Sequence, residues 1–344
     1  MIPAFDRLVA SVQRNCHISD ARHARGMTLC TYLLEMREFY RWEAGIAPGA
    51  PLERAAVGAW LAAREALWET LTAEEYVPVP IGDEEFEPFE VARINRALSP
   101  HGLVYGAGIG RFGKPHFFLG DLVRREESDG LVVLVSGREH ARDIGALPAA
   151  LQGDTAFVRR EAMRQWLWEK AEAWTMKRTP GAMAITLAAH GFAEDPHAAL
   201  EKMTDAEIES AILHERGEFE AARVLGSRWE ERLAAGCPRR VELLMRAVRD
   251  HLADSLVTLP ALIERAAWPS LSFWLANLDG MRRELWPEMA GADSAKLGAG
   301  DTARLAAAVR RGAAHWQAVA QRLLAADDQA VEALSHDVAT LALA

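Results

Sequence analysis

The chain has only three cysteines in 344 residues, Cys16, Cys30 and Cys237, and no CxxC pair. An odd, widely spaced set excludes a disulfide framework or a cysteine-based zinc knuckle and suits a reduced cytoplasm. Long apolar runs are also missing. The charge-free stretch Gly181–Ala193 has 13 residues and contains His190, whereas a bilayer span needs about 20. Met1–Ala10 carries Asp6 and Arg7 and no apolar centre, so it does not read as a signal peptide. Basic charge is in deficit, with 39 Lys and Arg against 49 Asp and Glu and a formal charge of −10. The Arg-Arg pairs at 159–160, 239–240, 282–283 and 310–311 are scattered among acids. Neither nucleic acid nor membrane is therefore an expected partner. No Walker A, GxSxG or kinase motif occurs. Gly106, Gly108 and Gly110 approach GxGxxG, but no helix follows them, and a dinucleotide site needs strand, glycine turn and helix.

What is present is helix-forming material. Half of the residues are hydrophobic, 26% are charged and 63 are alanine, enough to bury a core in about two domains. Pro3–Arg14 reads as a short amphipathic turn set, residues 20–44 as one long helix capped by Ser19 or Asp20, and Leu52–Thr72 as another helix. Tyr76–Pro88 is too rich in proline and acid for a regular element. Leu103–Ile109, Pro115–Val123 and Leu131–Ser136 are short β-prone runs separated by turn residues, which predicts a three-stranded antiparallel meander. Gly145–Gly153 reads as a connector, and helical spacing resumes from about Ala156. The expected fold is α+β and predominantly α-helical: a helical N-terminal half holding the small antiparallel sheet over residues 1–152, then an all-helical bundle over 153–344.

Two constellations carry chemistry. In the first, Cys16, His17, Asp20 and His23 crowd a helix entrance, with spacing that permits a divalent metal. Projection at about 100° per residue puts Leu29, Leu33, Met36 and Tyr40 at the centre of an apolar arc. His23, Cys30, Arg37 and Arg41 fall together on one side of it. A guanidinium cannot lose its proton. Arg37 and Arg41 therefore either pair with Glu35, Glu38 or acids on a neighbouring helix, or form with His23 a pocket for a small anionic ligand. Asn15–Ala21 (NCHISDA) with Met36–Glu43 (MREFYRWE) resembles the opening of a family of bacterial conserved hypothetical proteins, as do FVRREAM (157–163) and FWLANLDGM (273–281). That resemblance implies a full-length bacterial relationship and transfers no catalytic residue, because the family has no established activity.

The second constellation lies on an expected hairpin of helices, 205–235 and 239–258, with Gly236-Cys237-Pro238 between them. Ile208, Ile212, Phe219, Ala222 and Trp229 form an apolar stripe on the first helix; Glu215 projects onto its centre, Glu218 lies within it and His214 at its edge. Carboxylates on an apolar stripe are the informative exception to burial rules. On the returning helix Val241, Leu244, Val248 and Leu252 form the core stripe, His251 flanks it and Asp254 points away. His214, Glu215, Glu218 and His251 thus converge as a carboxylate–histidine metal set, although His-Glu-Arg-Gly-Glu is not the HExxH zinc-protease motif. The alternative is structural: Glu215 pairs with Arg249 or Arg265, and His251 is a satisfied flank residue. His116 and the Glu139-His140-Asp143 group can also line a cleft beside the meander. The composite expectation is a metal-dependent enzyme using a divalent metal held by histidine and carboxylates. The alternative is a non-catalytic adaptor or a protein that binds a small anionic ligand.

Overall fold

Side-chain amides help to place two of the N-terminal helices. The computed structural model describes residues 5–110, 113–297 and 302–343. Helix α1 (Phe5–His23) buries Leu8, Val12 and Cys16 against Tyr105, Phe117 and Leu119. On the same helix Gln13 brackets Arg142, donating to its carbonyl at 3.0 Å and accepting from its N–H at 3.1 Å. Asn15 does the same to Val77 at 2.9 and 2.8 Å. Asn95, in α4 (Val91–Leu98), brackets Tyr105 at 2.7 and 2.9 Å. Each amide satisfies both backbone groups of one residue, which leaves no orphaned donor or acceptor there. Asn95→Ala is expected to expose the two groups of Tyr105 as buried and unpaired, costing ~2–3 kcal/mol in urea denaturation. An unchanged midpoint would mean the bracket contributes nothing.

The long helix expected over 20–44 is instead two helices. After α1 ends at His23, a 3-10 turn covers Ala24–Gly26 and Met27 and Thr28 are extended. Thr28 then caps α2 (Leu29–Glu43), accepting from the Thr31 N–H at 3.3 Å, a favoured helix start. This break resets the register, so His23 does not share a helical row with Cys30, Arg37 and Arg41. It also turns the expected apolar centre outward: Leu29 is 71% and Leu33 46% exposed, while Met36 is buried. Helix α3 (Arg54–Leu71) follows.

The acidic stretch expected to be irregular contains a short hairpin, β1 (Val79–Ile81) and β2 (Glu84–Phe86), turning at Gly82 with φ +62°. The meander is present as β3 (Leu103–Ile109), β4 (Pro115–Ser128) and β5 (Leu131–Arg142). Asp129 and Gly130, both at positive φ, close the β4–β5 turn, the backbone that a tight primed hairpin needs. Two strands fall where a connector and a helix start were expected, β6 (Ala149–Gln152) and β7 (Thr155–Arg159), giving the order β3-β4-β5-β7-β6. Local periodicity over four or five residues is too short to separate such strands from loop.

The rest is helical: α5 (Arg160–Lys177), α6 (Ala182–His190), α7 (Pro196–Leu225), α8 (Ser227–Ala234), α9 (Arg239–Ala253), α10 (Leu259–Glu264), α11 (Trp268–Ala276), α12 (Gly280–Leu285), α13 (Pro287–Ala290), α14 (Thr302–Ala325) and α15 (Asp328–His336). The α+β class with an all-helical C-terminal half is thus as the sequence implies. Helix α7 begins nine residues before 205, where Asp195 caps His197 and Ala198 and Pro196 takes the first helical turn. It ends at Gly226, φ +73°, so residues 205–235 are two helices. The chain divides into two compact units, one built on residues up to Trp166 and one on residues from Leu167 onward, with segments 129–131 and 149–156 belonging to the second. The helical unit has its own core around Leu244, Met245, Val248, Trp286 and Trp316. Among the described residues, no helix is long and apolar enough to cross a membrane.

Candidate metal centre

A glycine marks a tight helix contact in the helical unit. A Cβ on Gly217 would stand 2.5 Å from the Ala253 carbonyl oxygen, so only glycine lets α7 lie this close to the end of α9. Gly217 sits between Glu215 and Glu218, and Ala253 between Asp250 and Asp254. The contact therefore brings two i, i+4 polar pairs face to face, His214 with Glu218 and Asp250 with Asp254. Just beyond, residues Asp254–Thr258 form a π turn in which the Leu259 N–H reaches back to the Asp254 carbonyl. Pro260 is the sequence cause at hand, since its ring removes the N–H that would bond to Leu256 and crowds that carbonyl. Such widened turns are frequent at functional sites.

Donor atoms of His214, Glu218 and Asp250 lie within 4.8 Å of one another. His214 Nδ1 is 2.8 Å from Asp254 Oδ1, which fixes the ring and turns Nε2 toward Glu218, 3.6 Å from its Oε1. Two ligands on a tetrahedral ion with ~2.1 Å bonds stand about 3.4 Å apart. A carboxylate behind the other nitrogen is the usual support of a metal-bound histidine. Asp254 is itself held, accepting from Trp274 Nε1 at 2.8 Å and from Arg282. Arg249 Nη2 donates to Glu218 Oε1 at 2.7 Å.

The electrostatics show a surplus of carboxylate. Burial favours the neutral form of Asp254, yet His214 and Arg282 beside it hold it well below the usual carboxylate range. Burial likewise opposes ionising Glu218, but Arg249 and His214 pull it down to about 2. Desolvation works against the His214 cation, and Asp254 outweighs it, so the ring titrates well above its ordinary value. The other two carboxyls go the opposite way. Burial and the Glu218 charge push Asp250 up and push Glu215 to about 8. Glu215 is 4% exposed and its Oε2 has no hydrogen-bond partner. Two of the four acids, Asp254 and Glu218, are thus held ionised by the arginines and His214, while burial and like charge favour the protonated forms of Glu215 and Asp250, protons that a divalent cation would displace.

The expected set is only partly gathered here. His214 and Glu218 lie together; Glu215 feels the charges of both but is not one of the three converging donors, and His251 does not join them. Its Nε2 is 2.9 Å from the Arg282 carbonyl, its ring stacks on Trp316 at 4.7 Å, and burial lowers it to about 3. Asp254, which projection directs away from the core, is fully buried in the cluster, and Asp250 joins it. The reason is that α9 packs against α7, α12, α14 and α15 at once; a helix surrounded on several sides has no single buried stripe. The signal that identifies the missed pair is the spacing Asp250–Asp254 matched to His214–Glu218 across an antiparallel contact.

The N-terminal candidates face four different ways. Cys16 donates to the Phe117 carbonyl and burial pushes its thiol up. His17 meets Arg64 Nη1 at 2.6 Å, and burial with that guanidinium lowers it to about 3. Asp20 accepts from Lys114 Nζ at 2.8 Å. His23 Nδ1 is 2.9 Å from the Ser19 carbonyl. Arg37 and Arg41 converge on Glu38, with Nε atoms 2.7 and 3.4 Å from its Oε1. Beside the sheet, His116 lies 2.7 Å from Asp143, His140 2.7 Å from Asp121, and Glu139 takes both arms of Arg159. Among the described residues, the group on α7 and α9 is the one set of three such donors close enough to share an ion.

Fold and site together define a helix-rich α+β protein with a buried histidine–carboxylate cluster in its helical unit. Two models of one family of unknown function match the chain, the DUF6866 N-terminal domain over residues 7–159 and the DUF6866 C-terminal domain over 164–343. The chain belongs to the DUF6866 family. No curated protein and no solved structure matches it.

Proposed function

We propose that the protein is a divalent-metal-dependent enzyme whose ion is held by His214, Glu218 and Asp250 on α7 and α9. The observation that carries this reading is the placement of three donor atoms within 4.8 Å, with His214 oriented by Asp254. The buried Oε2 of Glu215, which has no hydrogen-bond partner, supports it: a cation beside it would favour ionising a carboxyl that burial and the Glu218 charge otherwise keep protonated. One imidazole and carboxylate oxygens suit Zn²⁺ or Mn²⁺ in preference to thiolate-seeking ions. Such an ion supplies Lewis acidity and an activated water. The chain's part is to hold the ligands, with Asp254 setting the His214 tautomer and Arg249 fixing Glu218.

Metal analysis of protein purified without chelator tests this. Near-stoichiometric metal is expected in the wild type. Asp254→Asn should weaken metal affinity ~10–100-fold while leaving all three ligands in place. Equal metal content in wild type and a His214→Ala variant that stays folded by circular dichroism would overturn it.

A further inference from the structure

We propose that the cleft between α1, α2 and α3 binds a small organic cation, an amine carried on an apolar or aromatic body. The cleft is half open to solvent and offers about 420 Å³, within the usual size of small-molecule sites. Its floor is apolar: Ala21, Ala24 and Trp68 are all buried. Trp68 directs its indole N–H to His17 at 3.4 Å, away from any ligand. The wall includes Leu29, the most solvent-exposed leucine of α2 at 71%. A ligand body seated there would cover apolar surface that the break before α2 turns outward.

The charge of the rim selects the ligand. Glu65 and Glu69, four residues apart on α3, both line the cleft. Tyr32 donates to Glu65 Oε1 at 2.9 Å, which fixes that carboxylate and leaves its second oxygen for a ligand ammonium. Among the described lining residues Arg25 is the single cation, so carboxylate prevails two to one. An ammonium beside two carboxylates gains ion-pair attraction from both. An anion gains from Arg25 alone and is opposed by both glutamates. The site is independent of the metal centre: its residues lie on other helices, and loss of metal would leave it intact.

Isothermal titration of the full chain with phenethylamine and with phenylacetate, equal in ring and length but opposite in charge, tests the proposal. Saturable 1:1 binding of the amine is expected, and no saturable binding of the acid. Glu65→Gln/Glu69→Gln should weaken the amine at least about tenfold; both positions are exposed, so the variant is expected to fold. Failure of phenethylamine to saturate, equal binding by the double variant, or tighter binding of phenylacetate would each overturn it.

Discussion

Gly217→Val is expected to be the most damaging single substitution in the helical unit. The added side chain meets the Ala253 backbone, 2.5 Å from where its Cβ would stand, and backbone cannot rotate away as a side chain can. Forcing α7 off α9 should cost more than ~3 kcal/mol, at the upper end for overpacking, and should separate His214 and Glu218 from Asp250 and Asp254. Gly58→Ala gives the contrast. Gly58 lies inside α3 with nothing within 4 Å of a Cβ, so alanine there should stabilise by ~0.5–1 kcal/mol through helix propensity alone. Urea denaturation of both variants reads the difference. A tolerated valine at 217 would mean that the helices are not held at this distance.

Lys114→Met is expected to be the corresponding failure of the N-terminal unit. Lys114 Nζ lies 2.8 Å from Asp20 and 3.6 Å from Asp143, two carboxylates with no solvent exposure, and donates to the Ile144 carbonyl at 2.7 Å. Removing one partner of a buried ion pair strands the other, typically at ~3–5 kcal/mol. The loss should depend on pH. Burial already raises Asp20 to about 7, against the pull of Lys114; without the lysine its carboxyl holds a proton to higher pH still. A carboxyl raised in the folded state contributes stability that is complete below its unfolded pKa and disappears as pH rises through the folded value. The deficit of Lys114→Met against wild type should therefore be largest above pH 7 and narrow toward pH 5. A deficit independent of pH would contradict the pairing.

The sequence reveals these sites unevenly, and the reasons are local. Glu215 and Glu218 are legible because they interrupt an apolar stripe on a long helix. Asp250 and Asp254 are not, because projection assigns α9 one buried face whereas four helices surround it. The row of His23, Cys30, Arg37 and Arg41 depends on an unbroken helix, and Thr28, a cap read as an interior residue, ends that assumption. The same break exposes Leu29 and so shapes the cleft, which no pattern along α2 alone announces. The meander is readable from its turns, but β6 and β7 are too short for their period to count. Gly217 is visible in the sequence only as an unfavourable residue in a helix; its purpose is set by Ala253, 36 positions away.

Titration of Zn²⁺ and of Mn²⁺ into metal-free protein, with His214→Ala alongside, tests the central claim most directly. One ion per chain should bind the wild type, with proton release as His214 gives up the proton on the nitrogen that takes the ion and the raised carboxyl of Asp250 ionises. The folded variant should lose at least about a hundredfold in affinity. Absence of saturable binding by the wild type, or binding by His214→Ala at wild-type affinity, would contradict the metal centre.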